Sequence, residues 1–355
     1  MQVQSGITHN QSVSKKWLGF AVFLIVFAVG LYWAKWNPYF HKPILASKEH
    51  NIGTSLLAGM TGGNFSEVVK SAWNYSITYF LAIWKALLVA TIVASLMQVI
   101  VPREWLTRVL GKTGFLGSVS GGLLALPAMM CTCCAAPVVS GLRKCSSSVG
   151  AAIAFWFGNT ALNPAVLIFM VFVLGWKFTI LRLILGIILV FGVSYLANRI
   201  AKNEAADPAM MEKMNKKDKL SGKPLLVRWI YTFGKMLVTI LPLYILSVFV
   251  MGLLISWVYP TLNGHAIHSF WLIIAFAIIG TLFVIPTAAE IAIIQAVLAL
   301  GLGHGPAAAL LITLPVISIP SIIMVRKAFS KKTIAFLTMS VMVLGIVAGC
   351  IGTFI

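Results

Sequence analysis

The sequence predicts an all-α, polytopic membrane protein. It reads as two inverted-topology repeats, each with a broken or re-entrant helical hairpin, preceded by one N-terminal transmembrane helix. Three observations carry this. Of 355 residues, 60% are hydrophobic and only 10% are charged, a composition that needs lipid as part of its solvent. Uncharged apolar runs long enough to span a bilayer recur along the chain. Proline interrupts two of these runs at matching places. The alternating pattern of barrel strands is absent.

The elements follow in order. Residues 1–16 read as a cytoplasmic tail ending on Lys15 and Lys16. Residues 17–36 read as a retained transmembrane helix rather than a cleaved signal, with Trp17, Trp33 and Trp36 as interfacial anchors. Residues 37–76 form an extracytoplasmic loop. The first repeat, 77–198, holds apolar segments at 77–101, 113–142, 148–175 and 179–198. Residues 199–228, with eight basic and four acidic side chains, form a charged cytoplasmic linker. The second repeat, 229–355, holds segments at 229–258, 268–303, 306–325 and 333–354.

Two segments are broken. Residues 113–142 contain Pro127, a cysteine cluster and Pro137, and residues 268–303 contain Pro286 and Glu290. Proline removes a helical hydrogen bond, and irregular backbone at membrane depth is tolerated only under cover of protein or water. Basic residues decide how 113–142 runs. If it enters and returns on one side, 19 lysines and arginines lie inside and six outside, among them Lys177 and Arg182. If it crosses once, 7 lie inside and 18 outside. The positive-inside rule selects the re-entrant form, with the N-terminus cytoplasmic and the C-terminus extracytoplasmic.

The repeat shows in shared punctuation. Pro127 after Gly122-Leu-Leu-Ala-Leu matches Pro286 after Thr281-Leu-Phe-Val-Ile, and Pro164 matches Pro320. Inverted repeats with broken segments near the bilayer midplane are a recurrent transporter plan, with the site where the repeats meet.

Cys131, Cys133 and Cys134 are the leading binding candidates. Soft centres prefer sulfur to oxygen, and a non-helical tip between Pro127 and Pro137 would bring the three thiols together. The alternative is that each cysteine is a small buried apolar residue. A closed zinc site needs four ligands, and no histidine is near, so no resident metal or cofactor is expected. Glu290, an acidic residue inside an apolar segment, is a functional candidate by position. Lys85 and Lys235 are its candidate partners. Asn159, Asn163 and Ser318 either line a pathway or hold helices together. Pro127, Pro137, Pro164, Pro286 and Pro320 are the candidate hinges.

Other classes are excluded or set aside. The net charge of +19 comes from short loops at segment ends, so it speaks for membrane orientation and against nucleic acid. No P-loop, zincin spacing or nucleophile elbow is present. A membrane thiol–disulfide oxidoreductase is the rival, and it lacks a second cysteine pair to pass electrons on.

The stretches Pro127-Ala-Met-Met-Cys-Thr-Cys-Cys-Ala-Ala-Pro137, Phe155-Trp-Phe-Gly-Asn-Thr-Ala-Leu-Asn-Pro164, Pro286-Thr-Ala-Ala-Glu290 and Leu314-Pro-Val-Ile-Ser-Ile-Pro320 resemble the predicted-permease family that contains the ArsP-like exporters of trivalent organoarsenicals, above all its YraQ-like branch. The resemblance runs from about Trp17 to the end of the chain. It implies a permease rather than an enzyme. It implies further that Cys131, Cys133 and Cys134 handle a small soft or thiol-reactive solute. The partners expected are the lipid bilayer and that solute; the sequence leaves a homo-oligomer open.

Overall fold

The computed structural model describes residues 21–22, 24–33, 65–100, 108–144, 147–201, 224–258, 270–283, 285, 289–299 and 303–355. Among them are thirteen α-helices and no strand. Pro286, Cys145, His265 and His268 lie outside the described residues, as do Lys15, Lys16, Trp17 and Trp36.

The first half opens with α1 (Phe65–Ile100). It begins ahead of the predicted start at residue 77 and takes in part of the stretch expected as loop. Next come α2 (Phe115–Ala125) and α3 (Thr132–Lys144), separated by a turn. Then come α4 (Val149–Ala161) and α5 (Pro164–Val173). The half closes on one long rod: α6 (Trp176–Ile187), a π-helical segment (Ile188–Val193) and α7 (Ser194–Ile200). The second half runs in the same order. It comprises α8 (Leu225–Val258), α9 (Phe270–Leu282), α10 (Ala289–Ala299), α11 (His304–Val316), α12 (Ile319–Val325) and α13 (Lys331–Gly352).

Among the described residues, four segments are long and apolar enough to cross a bilayer: Val149–Val173, Trp176–Ile200, His304–Val325 and Lys331–Gly352. At 1.5 Å per residue, their 22 to 25 residues reach roughly 33–38 Å, against about 30 Å of hydrocarbon. Two of them are interrupted near their middles, at Leu162–Asn163 and Ile317–Ser318. The cause is local. Pro164 stands at the start of α5, where a missing N–H costs nothing, and bars Asn163 from α geometry. Pro320 stands one residue inside α12, just after the extended Ile317 and Ser318. Both of these candidate hinges lie at full breaks.

The central helices are α4 and α11. Every residue of α4 is buried, and so is every residue of α11 except His304. A helix that is apolar all round belongs in the middle of a bundle. Glycine allows the close approach. A Cβ on Gly121 of α2 would meet the Ala151 carbonyl oxygen of α4 at 2.1 Å, and one on Gly280 of α9 would meet Thr313 Oγ1 of α11 at 2.0 Å. The outer rods α6 and α13 turn Ile180, Leu183, Ile184, Ile187, Met339, Val343 and Val347 outward. Exposed apolar stripes of this kind face lipid in a membrane protein.

Candidate functional site

The cysteines lie where the first broken segment turns. Helix α2 ends at Ala125, a turn covers residues 126–128, and Met129 follows with φ 47°, the left-handed region that a non-glycine residue rarely adopts. Backbone of this kind gathers at sites where the surroundings hold it in place. Here Asn159 does the holding: its Oδ1 accepts from Met130 N at 3.1 Å, and its Nδ2 donates to the Phe155 carbonyl at 2.7 Å.

Cys131 precedes α3, and its carbonyl accepts from Ala135 N at 2.9 Å. Cys133 and Cys134 stand in the first turn of α3. The Cys131 sulfur lies 3.3 Å from that of Cys133 and 3.0 Å from that of Cys134. All three sulfurs fall within 4.8 Å of one another, on buried side chains. The expected convergence is present, but its geometry differs from the expected non-helical tip. The unwound stretch ends at Cys131, and Pro137 lies inside α3. Pro137 instead denies the Cys133 carbonyl its usual helical donor.

The opposite half packs against the cysteine segment. Thr132 Oγ1 donates to the Val316 carbonyl at 3.0 Å, at the α11–α12 break. The Trp156 indole N–H donates to the Thr132 carbonyl at 3.1 Å, and its ring stacks on Phe329 at 6.3 Å. Ser318 sits at that break too, with its backbone N–H donating to Ser321 Oγ at 3.0 Å. Deeper along α3, Arg143 Nε donates to the Ala328 carbonyl at 3.3 Å. The first broken segment is thus anchored on the helix break of the other half.

Glu290 makes the reciprocal contact. It lies in the first turn of α10, and its Oε1 accepts from Arg182 Nη2 at 3.0 Å. Both side chains are almost fully buried, each residue being 1% exposed. Arg182 also donates through Nη2 to the Thr160 carbonyl at 2.7 Å and through Nε to the Ala161 carbonyl at 3.3 Å. Its Nη1 reaches Met170 Sδ at 3.6 Å. Those carbonyls belong to the end of α4, next to the Leu162–Asn163 break. Asn163 caps α5: its Oδ1 accepts from Ala165 N at 3.1 Å and from Val166 N at 3.3 Å.

This corrects two expectations. The partner of Glu290 is neither Lys85 nor Lys235. Those lysines are exposed, with their ammonium groups over the rings of Trp33 at 5.3 Å and Tyr231 at 5.9 Å. Arg182 is an interior residue and not part of an exterior loop. One signal was available: Arg182 falls inside the apolar segment 179–198, where a charge has to find a partner. The Thr132–Val316 contact had no such signal.

Apolar helices of membrane length, interrupted near their centres around buried thiols and a buried ion pair, define a multi-pass helical membrane protein. The chain belongs to the ArsP_1 family of predicted permeases, whose description matches residues 69–354. It is 41% identical over 334 residues to the UPF0718 protein YraQ of Escherichia coli, covering 94% of each chain. It is 23% identical over 304 residues to the UPF0718 protein MJ0584 of Methanocaldococcus jannaschii, covering 66% of this chain and 81% of that one. No solved structure matches it.

Proposed function

We propose that this permease is a secondary transporter that moves a small soft or thiol-reactive solute, such as a trivalent organoarsenical, across the bacterial inner membrane. The observation that carries this is the gathering of three buried sulfurs within 4.8 Å at a helix break. Three thiolates about 2.3 Å from one soft centre would lie roughly 3.8–4.0 Å apart. The observed contacts of 3.0 and 3.3 Å need only small shifts to reach that spacing. Thiol exchange lets such a solute bind and leave without a cofactor.

The two halves act as inverted repeats in this reading. Their shared element order supports it, as does the basic-residue distribution, which improves once Arg182 leaves the exterior set. Cys131, Cys133 and Cys134 bind the solute, and Asn159 positions their loop. Glu290, Asn163 and Ser318 lie at the joins between the halves, and Pro127, Pro164 and Pro320 mark the breaks about which the repeats rock.

The test is vesicle transport of trivalent methylarsenical and of Cu(I). The expected result is that Cys131→Ser, Cys133→Ser and Cys134→Ser each lower transport at least tenfold while the protein still reaches the membrane. Unchanged transport in all three removes the thiol role. A redox-dependent gel shift together with bound quinone would point to electron shuttling by the same cysteines. Labelling of both chain ends from the same side would end the inverted-repeat reading.

A further inference from the structure

The thiol cluster leaves one polar feature of the interior without a task. At the α4–α5 break the Arg182 guanidinium is held by the Thr160 and Ala161 carbonyls and by Glu290 Oε1. On Glu290 and on Asn163, the residue that opens α5 after this break, two buried polar atoms have no hydrogen-bond partner: Glu290 Oε2 and Asn163 Nδ2. Each belongs to a side chain that is 1% exposed. Buried polar groups are nearly always paired, so each exception asks for an explanation.

The orientation of the Asn163 amide follows from its cap. Its oxygen accepts from two backbone N–H groups, so the arm left over is the donor. The carboxylate oxygen of Glu290 is an acceptor. Both side chains bear on the α4–α5 break. Asn163 lies three residues after Thr160, whose carbonyl accepts from Arg182 Nη2, and Glu290 engages the same nitrogen.

One leftover acceptor and one leftover donor complement a hydroxyl group, which donates once and accepts on its own oxygen. A bare cation leaves the amide donor unsatisfied. We propose that the α4–α5 break carries a second binding position, for the hydroxyl of a neutral hydroxylated solute; this rests on the thiol reading for the identity of the cargo. The solute's hydroxyl donates to Glu290 Oε2 and accepts from Asn163 Nδ2. The two positions are neighbours along the chain: Asn159 holds the thiol loop through Met130, and the next residue, Thr160, holds Arg182.

The cargo therefore passes between two forms. At the Glu290–Asn163 position it keeps its hydroxyls. At the cysteines each new bond from sulfur to the soft atom displaces one hydroxyl, which leaves as water with the thiol proton. Water reverses the step on release, and no oxidant or reductant is consumed. The pair of positions selects trivalent hydroxides of soft elements over bare soft cations, which only the thiols can hold.

The test uses the full chain in detergent with Cys145 and Cys350 changed to Ala throughout, and with Cys131, Cys133 and Cys134 also changed to Ala to give a thiol-free chain, titrated by calorimetry with methylarsonous acid, CH3As(OH)2, and separately with Ag(I). The expected result is weak, saturable binding of methylarsonous acid and none of Ag(I). Adding Asn163→Ser, which keeps an oxygen to cap α5, or Glu290→Gln, which can still accept from Arg182, weakens the methylarsonous acid binding at least tenfold. If the thiol-free chain shows no saturable methylarsonous acid binding, or binding that survives Asn163→Ser, the second position is overturned. If Glu290→Gln does not fold, Asn163→Ser decides alone. The thiol reading is judged separately, by whether the chain that keeps only Cys131, Cys133 and Cys134 binds Ag(I) and the thiol-free chain does not.

Discussion

The two joins between the halves share a plan and differ in chemistry. At one, the helix that follows the first broken segment brings Cys131, Cys133 and Cys134 against the Ile317–Ser318 break. At the other, α10 brings Glu290 towards the Leu162–Asn163 break through Arg182. The first join is neutral: sulfur tolerates an apolar interior with or without a ligand. The second holds a buried ion pair, which loses most of its hydration and keeps its place only while both members are present. The same architecture thus gives one join that can wait empty and one that has to stay paired. This is the division of labour expected if cargo exchanges onto sulfur at the first join while the ion pair at the second ties the halves together.

The comparison breaks most sharply at Arg182. Arg182→Ala leaves the Glu290 carboxylate buried and unpaired, an expected cost of about 3–5 kcal/mol. Thermal unfolding in detergent should show this as a large fall in melting temperature. Changing both residues to leucine should recover most of the loss. Cys133→Ala, at the neutral join, removes only sulfur contacts and should cost about 1 kcal/mol or less. Equal losses at the two joins would contradict the contrast between a charged and a neutral contact.

The close-packed glycines sharpen the comparison at the next level. Gly121→Ala drives a methyl into the Ala151 backbone carbonyl, 2.1 Å away. It should cost roughly 1–3 kcal/mol, because a backbone cannot rotate aside. Gly280→Ala meets a side-chain oxygen, Thr313 Oγ1, at 2.0 Å, and Thr313→Ala should relieve much of that clash. A double-mutant cycle measures the relief; strict additivity would mean that the second half is as unyielding as the first.

The smallest effect belongs to the single hydrogen bond that ties the thiol helix to the opposite half. Thr132→Val keeps the shape but removes the donor to the Val316 carbonyl, at an expected cost of about 1 kcal/mol. Transport should fall more than stability does, since the bond aligns the pocket. A variant that transports normally would show that the bond only supports packing.

Much of this was legible in the chain. Pro164 announces the break just ahead of it and Pro320 lies one residue past the other, because the effect of proline is local; Asn163, expected to line a pathway or hold helices together, caps α5 instead. The thiols announce a site because they are adjacent. The full burial of α4 and α11 follows from their unbroken apolar character. What misled was position near the edge of a run. Arg182 sits seven residues into the Trp176–Ile200 span, close enough to its end to be counted with the loops, and Lys85 was nearer a segment's middle yet is exposed.

The sequence by itself determined the spans, their breaks and the sulfur cluster, since apolar runs, proline geometry and residue spacing are properties of short stretches. Only the tertiary structure decided that Thr132 would meet the Val316 carbonyl, that Glu290 would choose Arg182, and that one Glu290 oxygen and the Asn163 amide would be left over. Those outcomes depend on which buried groups packing brings within about 3 Å of each other. Residues more than a hundred positions apart carry no local signal of that.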